Sequence, residues 1–221
     1  MYLMRLDVYL IETGFFSSRG RAKKAISEGH VKVDGNVTTK SSREVSEFNE
    51  IEVDEGLDKP RGYFKLRNIQ EKFDLIKEGD RVLDLGSSAG GFLMFACELG
   101  ANVVGIEYSR HFRSELGRLA YENPNITIIF DDVFTMPTSK IPGSPFDVLL
   151  TDMTLEPEAS IEALGKVLPL LKKGGMIFQV IKLGRGRNKK HLVENIKSLG
   201  IEVLEVLDSA QREFYVVAKK T

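Results

Sequence analysis

Apolar positions along residues 62–221 follow two spacings that alternate along the chain. Short apolar runs are typical of buried strands, whereas an apolar residue at every third or fourth position is typical of a helix packed on a sheet. The strand-like runs are Val82–Leu85, Asn102–Glu107, Ile126–Phe130, Phe146–Thr151, Met176–Ile181, Ile201–Leu207 and Phe214–Lys219. The helical stretches are Gly62–Ile76, Phe92–Leu99, His111–Tyr121, Glu158–Leu171 and Lys189–Leu199. This alternation predicts an α/β domain with a mostly parallel sheet covered by helices on both faces, and the short turn at Asp208–Gln211 predicts a final antiparallel strand.

The first sixty residues have shorter elements. Apolar residues at helical spacing predict a helix over Arg5–Glu12, and a second helix follows over Arg19–Glu28. The alternating segment His30–Val37 is centred on Asp34-Gly35, a dipeptide typical of a two-residue β-hairpin. A further strand at Glu50–Val53 completes a small unit of helices and strands.

The composition of the chain and one polar segment indicate two folded domains. The chain has 221 residues, 42% of them hydrophobic and 29% charged, which is ordinary for a folded protein. The polar segment Asp54–Pro60 places a boundary between a small domain, residues 1–58, and a larger one, residues 59–221.

The sequence has neither a signal peptide nor a long apolar span, which predicts a cytoplasmic protein with no membrane partner. The single cysteine, Cys97, excludes an internal disulfide and a cysteine-cluster metal site.

Charge is distributed unevenly although the net charge is only -1. Acidic residues concentrate between Glu44 and Asp58, whereas basic residues concentrate on the second predicted helix and just after Lys182. Clustered cations of this kind suit the phosphates of a nucleic acid. The candidate RNA contacts are Arg19, Arg21, Lys23, Lys24, Lys32, Arg185 and Arg187.

Residues 1–58 also share a set of positions with a known domain. The shared positions are Arg5-Leu6-Asp7, Ser18-Arg19, Ala22, Ile26, Gly29, Val31-Lys32-Val33-Asp34-Gly35 and Ile51-Glu52-Val53. They resemble the small RNA-binding module first known from a protein of the small ribosomal subunit. The resemblance implies binding to a folded RNA through its phosphates and shape, with little reading of its bases.

A glycine-rich turn in the larger domain is a candidate ligand site. The segment Asp84–Phe92 joins the first strand to a helix through Gly86-Ser87-Ser88-Ala89-Gly90-Gly91. Such a turn lets the backbone approach a ligand closely and leaves N–H groups of the helix free to bind it. A seven-stranded sheet that ends in an antiparallel hairpin resembles the Rossmann-like fold of S-adenosylmethionine-dependent methyltransferases. This resemblance implies S-adenosylmethionine as the cofactor, bound at the carboxyl ends of the strands.

Acidic residues lie near or directly after the carboxyl ends of three successive strands of that fold. We expect Asp84 to orient the turn or meet the methionine end of the cofactor, Glu107 to grip ribose hydroxyls, and Asp131 and Asp132 to accept from the adenine amino group. The candidate cofactor residues are Asp84, Gly86, Ser87, Ser88, Gly90, Gly91, Phe92, Glu107, Asp131, Asp132 and Asp152.

Four further segments match one enzyme family. They are Arg61–Leu66, Thr151–Met153, Val180–Lys182 and Arg212–Ala218. Together they resemble the FtsJ-type ribose 2′-O-methyltransferases over the whole larger domain, and the resemblance implies a catalytic tetrad. In this sequence its members are Lys65, Asp152, Lys182 and Glu213. An RNA-binding module joined to such a domain is similar to the haemolysin-like TlyA proteins, which methylate ribose in ribosomal RNA.

Two positions depart from the family pattern. The glycine-rich turn has Ala89 where the family usually has a proline, and Thr154-Leu155 follows Asp152-Met153 where the family usually has Ala-Pro. Neither departure replaces a proposed catalytic side chain.

The tetrad suits transfer of a methyl group to a ribose 2′-hydroxyl, a weak acid that must lose its proton. We predict Lys182 as the base, because a lysine near another cation, here Lys65, can lose its proton closer to neutral pH. Asp152 is expected to orient the Lys182 amine, and Glu213 to fix Lys65 or the substrate. No metal is required, and the sequence specifies no oligomeric state.

Three functions remain open on this evidence. The first is an S-adenosylmethionine-dependent RNA methyltransferase that modifies a ribose 2′-hydroxyl, with ribosomal RNA or a ribosomal subunit as partner. The second is an RNA-binding assembly factor or chaperone whose methyltransferase fold is inactive. The third, a small-molecule methyltransferase, leaves the first sixty residues unexplained.

Overall fold

The computed structural model describes residues 3–13, 15–16, 18–54, 59–184, 188–209 and 212–221. The chain divides into two units, Met1–Pro60 and Arg61–Thr221. No helix in these described ranges has the length and apolar character needed to cross a membrane.

The smaller unit has two helices and two small antiparallel sheets. Its elements are β1 (Met4–Arg5), α1 (Leu6–Glu12), α2 (Arg19–Ser27), β2 (Val31–Val33), β3 (Asn36–Val37), β4 (Glu44–Val45) and β5 (Ile51–Val53). β2 pairs with both β3 and β5, and the predicted hairpin turns through Asp34 (φ 53°) and Gly35 (φ 74°). The pairing of β1 with β4 is not in the sequence prediction, which began a helix at Arg5. The helix begins one residue later because Arg5 has an extended backbone (φ -66°, ψ 141°) and pairs with Glu44 in β4.

The larger unit alternates strands and helices. Its elements are α3 (Arg61–Phe73), β6 (Arg81–Leu85), α4 (Gly91–Glu98), β7 (Asn102–Ile106), α5 (Arg113–Glu122), β8 (Ile126–Ile129), β9 (Phe146–Thr151), α6 (Pro157–Val167), β10 (Leu171–Lys182), α7 (Lys189–Lys197), β11 (Ile201–Asp208) and β12 (Glu213–Lys220). They build one seven-stranded sheet in the order β11-β12-β10-β9-β6-β7-β8. β12 is antiparallel to both neighbours and the other pairs are parallel, which confirms the predicted fold class.

Two predicted helices end at least three residues earlier than expected. α3 stops at Phe73 because Asp74 adopts a left-handed conformation (φ 48°), while Gln70 binds the backbone of Ile76. α6 stops at Val167 because Pro169 cannot donate a helical hydrogen bond, so a short 3₁₀ turn leads directly into β10.

Alternation along the strands divides the core between the two faces of the sheet. Leu66, Phe92 and Leu116, from α3, α4 and α5, pack on one face, whereas Leu164 from α6 and Leu192 from α7 pack on the other. The chain runs from β6 outward through β7 to β8 and then returns to β9 on the other side of β6. The winding direction therefore reverses between β6 and β9, where ligands of such sheets bind.

Candidate active site

Lys65, Asp152, Lys182 and Glu213 form a closed ring of ion pairs. Lys65 Nζ lies 2.8 Å from Asp152 Oδ2 and 2.9 Å from Glu213 Oε1. Lys182 Nζ lies 2.6 Å from Asp152 Oδ1 and 2.6 Å from Glu213 Oε2. Each lysine thus contacts both carboxylates, and each carboxylate contacts both lysines through separate oxygens.

The fold explains why these four distant positions meet. Lys182 and Glu213 are cross-strand partners at the ends of β10 and β12. Asp152 follows the last residue of β9, the parallel neighbour of β10. Lys65 extends from α3, whose Leu66 and Ile69 pack in the core on one face of the sheet. The ring therefore lies at the carboxyl ends of β9 and β10, beside the point where the winding direction reverses.

Opposite charges within the ring outweigh burial in setting the pKa of Lys65 and the pKa of Glu213. Burial acts to lower the pKa of Lys65, but hydrogen bonds and charges from Asp152 and Glu213 outweigh it and leave that pKa above its ordinary value. Burial likewise acts to raise the pKa of Glu213, but hydrogen bonds from Lys182 and Lys65 hold that pKa below its ordinary value. The sequence predicts that the two lysines lie close to one another, whereas in the structure a carboxylate lies between them on each side of the ring.

Tyr215 supports the ring and was given no role from the sequence. Its hydroxyl donates to Glu213 Oε1 at 3.0 Å, and Lys65 Nζ lies 5.9 Å from the centre of its ring. The sequence does contain a signal for this role. Tyr215 stands two residues after Glu213, and side chains at that spacing lie on the same face of a strand.

The glycine-rich loop lies beside the tetrad. Gly86 (φ 78°) approaches the segment after β9 so closely that a Cβ there would lie 2.7 Å from Met153 Cγ. Ser88 (φ 50°) and Gly90 (φ 78°) also have left-handed conformations, so the loop folds back on itself before α4. The N–H groups of Gly86, Ser88 and Gly90 are bonded to Ile106 O, to the Glu107 carboxylate and to Ser87 O, so the access of a ligand to this backbone stays a prediction. Ala89 stands where the family usually has a proline.

Two predicted cofactor residues, Gly91 and Phe92, also take part in packing. A Cβ on Gly91 would lie 2.5 Å from Tyr63 N, so the absence of a side chain at Gly91 accommodates the backbone of α3. The ring of Phe92 is buried and packs 5.6 Å from the centre of the Phe178 ring. At these two positions only backbone atoms remain for a cofactor.

Asp84 is buried without a partner. It is 1% exposed, and neither of its oxygens accepts a hydrogen bond from any described residue. Burial raises the pKa of the Asp84 carboxyl to about 7, with the charges of Asp152 and Glu107 adding to the rise. The Ser87 hydroxyl opposes this rise without reaching hydrogen-bond geometry. Such an orphaned acid beside a glycine-rich loop fits a cationic or hydrogen-bond-donating ligand group.

The acidic residues after β7 and β8 hold the surrounding loops. Glu107 accepts from Ser88 N–H at 2.7 Å and from Ser109 N–H at 2.6 Å. Asp132 accepts from Phe134 N–H at 2.9 Å and so caps the following turn. Asp131 accepts only from Asp132 N–H among the described residues, which leaves its Oδ2 for a ligand. Within the same ranges no cluster of His, Cys, Asp and Glu could hold a metal ion.

Most predicted RNA contacts that lie in the described ranges are paired with acids. Arg19 and Lys23 contact Asp7, Lys24 contacts Glu28, and Lys32 contacts Glu52, while Arg21 is half-buried. Arg185 and Arg187, the remaining predicted contacts, lie outside the described residues.

The sheet order, the glycine-rich loop and the strand-end carboxylates define a methyltransferase of the Rossmann-like class. Residues 59–220 match the model of the FtsJ-like methyltransferases, and residues 4–51 match the S4 domain. The chain belongs to the FtsJ-like methyltransferase family.

Named relatives agree with this assignment. The ribosomal RNA large subunit methyltransferase E of Desulfosudis oleivorans is 30% identical over 156 residues, covering 62% of this chain and 70% of that protein. The 16S/23S rRNA (cytidine-2'-O)-methyltransferase TlyA of Mycobacterium tuberculosis is 28% identical over 174 residues, covering 76% of this chain and 60% of that protein. A solved structure described as "Putative hemolysin from Streptococcus thermophilus" has a TM-score of 0.66 and 21% identity, and the match covers 100% of this chain and 90% of that one.

Proposed function

We propose that this chain transfers a methyl group from S-adenosylmethionine to a ribose 2′-hydroxyl of ribosomal RNA. The observation that carries the proposal is the closed ring of Lys65, Asp152, Lys182 and Glu213 beside the glycine-rich loop. The printed functions of the two named relatives support the choice of ribosomal RNA and of ribose. Since that substrate belongs to the ribosome, the proposal includes a cytoplasmic site of action.

Within this proposal, the cofactor lies over the glycine-rich loop. Asp84, orphaned and buried, faces the amino group of the methionine end, Glu107 the ribose hydroxyls, and Asp131 the adenine amino group. S-adenosylmethionine supplies a methyl group on a positively charged sulfur. The tetrad then has to position and deprotonate the hydroxyl that receives it.

Lys182 is the base of this mechanism. Its side chain is 30% exposed against 13% for Lys65, so an incoming hydroxyl reaches Lys182 more readily. Lys65, with its raised pKa, stays charged and holds both carboxylates in place. Asp152 and Glu213 fix the direction of the Lys182 amine, and correct placement of the hydroxyl supplies a large share of the rate.

The smaller unit, which matches the S4 domain, holds the RNA in this proposal. Its support is the basic side of α2 and the order of helices and hairpin in residues 4–51. Phosphate contacts of this kind favour structured RNA without reading a particular base.

The decisive experiment incubates the full chain with in vitro transcribed ribosomal RNA and methyl-labelled cofactor, and then digests the RNA to nucleosides. Label in a 2′-O-methylnucleoside supports the proposal, whereas label on a base contradicts it. RNA binding without transfer by the parent protein would favour the assembly-factor alternative.

Two arginine substitutions separate the roles of the lysines. Lys182→Arg keeps the charge but cannot act as a base, so transfer should fall by at least about a hundredfold. Lys65→Arg keeps the charge that its role requires and should retain more activity. Lys197→Ala, which removes a lysine paired with Glu194 on the surface, is the control and should transfer methyl groups at the parent rate. Equal activity for Lys182→Arg and the parent would exclude Lys182 as the base.

A further inference from the structure

A buried carboxylate in the smaller unit holds three basic side chains. Asp7, in the first turn of α1, has no solvent exposure. Arg5 donates from Nε to Asp7 Oδ1 at 2.9 Å and from Nη2 to Oδ2 at 3.2 Å. Arg19 donates from Nε to Oδ2 at 2.9 Å, and Lys23 Nζ lies 3.9 Å from the same oxygen.

The three cations are anchored at one end and exposed at the other. Their side chains are 44% (Arg5), 53% (Arg19) and 50% (Lys23) exposed, although the carboxylate between them is fully buried. Three positive charges against one negative charge leave an excess of two. Arg19 donates to Asp7 through Nε, and no residue in the described ranges accepts from its Nη groups.

The other basic residues predicted to contact RNA are arranged differently. Lys24 lies 3.8 Å from Glu28, and Lys32 lies 3.1 Å from Glu52. Both partners in each of these pairs are exposed, and the charges cancel one to one. Unlike those two pairs, the side chains around Asp7 combine a fixed geometry with an excess of positive charge.

We propose that Asp7 is a positioning residue that holds Arg5, Arg19 and Lys23 as a ready-made binding site for RNA phosphates. This inference rests on the proposed binding of RNA by the smaller unit. A long basic side chain loses conformational freedom when it grips a phosphate, and that cost is smaller when the side chain is already held. The outward edge of an arginine also presents two parallel donors that match phosphate oxygens.

The test depends on the sign of a charge effect. Asp7→Asn removes a negative charge from the RNA-binding side, so simple electrostatics predicts tighter binding. Loss of positioning predicts the opposite, a dissociation constant raised by about tenfold. Glu52→Gln makes the same change of charge beside Lys32, and its dissociation constant should equal the parent value or fall below it. The measurement is binding of the full chain to in vitro transcribed ribosomal RNA at about 0.1 M salt.

Each outcome decides a separate point. A folded Asp7→Asn protein that binds RNA as tightly as the parent, or more tightly, overturns the proposal. If Asp7→Asn does not fold, Arg19→Lys decides, because it keeps the charge and loses the planar donors. We expect several-fold weaker binding for Arg19→Lys, and an unchanged dissociation constant overturns the proposal.

A double variant separates this inference from the proposed function. If Arg5→Gln combined with Arg19→Gln leaves RNA affinity unchanged, these arginines do not bind RNA and the inference is overturned, whereas the proposed transfer to ribose is decided separately by the label in a 2′-O-methylnucleoside. If the double variant binds weakly while Asp7→Asn binds normally, the inference alone is overturned.

Discussion

Replacing Asp84 with asparagine should change how the stability of the protein depends on pH. Burial raises the pKa of this carboxyl to about 7 in the folded state, whereas its ordinary value is 3.8. The folded state therefore binds the proton more tightly than the unfolded state does. Between these two values stability falls as pH rises, and the whole penalty is present above pH 7.

The size of the effect follows from the difference between the two pKa values. A difference of about three pKa units corresponds to roughly 4 kcal/mol of unfolding free energy. Asp84→Asn removes this titration and leaves the other groups unchanged. The stability of the variant relative to the parent should thus increase by roughly that amount between about pH 4 and about pH 8. Any constant cost of burying the amide cancels in this comparison.

The assay is urea unfolding of both proteins over that pH range without cofactor. Asp208→Asn is the control, because it makes the same change of charge at a side chain that is 83% exposed. Parallel curves for Asp84→Asn and the parent, within about 1 kcal/mol at every pH, would refute the reasoning.

Two further substitutions test the support of the tetrad. In Gly91→Ala the new Cβ would lie 2.5 Å from Tyr63 N, so α3 must shift together with Lys65. We expect a lower kcat in turnover assays and a loss of about 1–3 kcal/mol of unfolding free energy in urea. Gly117→Ala is the control, because its Cβ has nothing within 4 Å, and it should be neutral or stabilising in the same assays. Glu213→Gln leaves the two lysines with one buried carboxylate fewer and should lower the unfolding free energy by about 3 kcal/mol. Glu205→Gln, at an exposed pair with Lys72, should lower it by less than about 1 kcal/mol. Equal losses within either pair would contradict the structural argument.

Most of the architecture could be predicted from the sequence because most strands and helices have a strong local signal, whereas the two-residue strands β1 and β4 have none. The alternation of apolar runs and the Asp34-Gly35 turn depend on neighbouring residues alone, and both have counterparts in the structure. The end of α3 could not be predicted in this way. It depends on the left-handed conformation of Asp74 and on the Gln70 side chain, which takes over the backbone of Ile76.

The candidate site is partly readable from the sequence for the same reason. Asp152, Lys182 and Glu213 each stand directly next to a predicted strand, which is a local signal. The pairing of β10 with β12, which places Lys182 opposite Glu213, has no such signal. The role of Gly91 is not readable, because the backbone that fills its space belongs to a helix that precedes it by about thirty residues. The grouping of Arg5 and Arg19 around Asp7 likewise depends on how α1 packs against α2, which no local pattern specifies.

Asp84 and the tetrad differ in charge balance, and the difference predicts how cofactor binding depends on pH. The ring contains two lysines and two carboxylates, whereas Asp84 has no partner among the described residues. A cationic amino group placed against Asp84 would bind its ionised form more tightly. Affinity for S-adenosylmethionine should therefore rise as pH increases towards and through about 7, where Asp84 loses its proton. Calorimetric titration of the parent and of Asp84→Asn across this range is the measurement, and equal pH dependence in the two proteins would exclude Asp84 as the group that receives the cation.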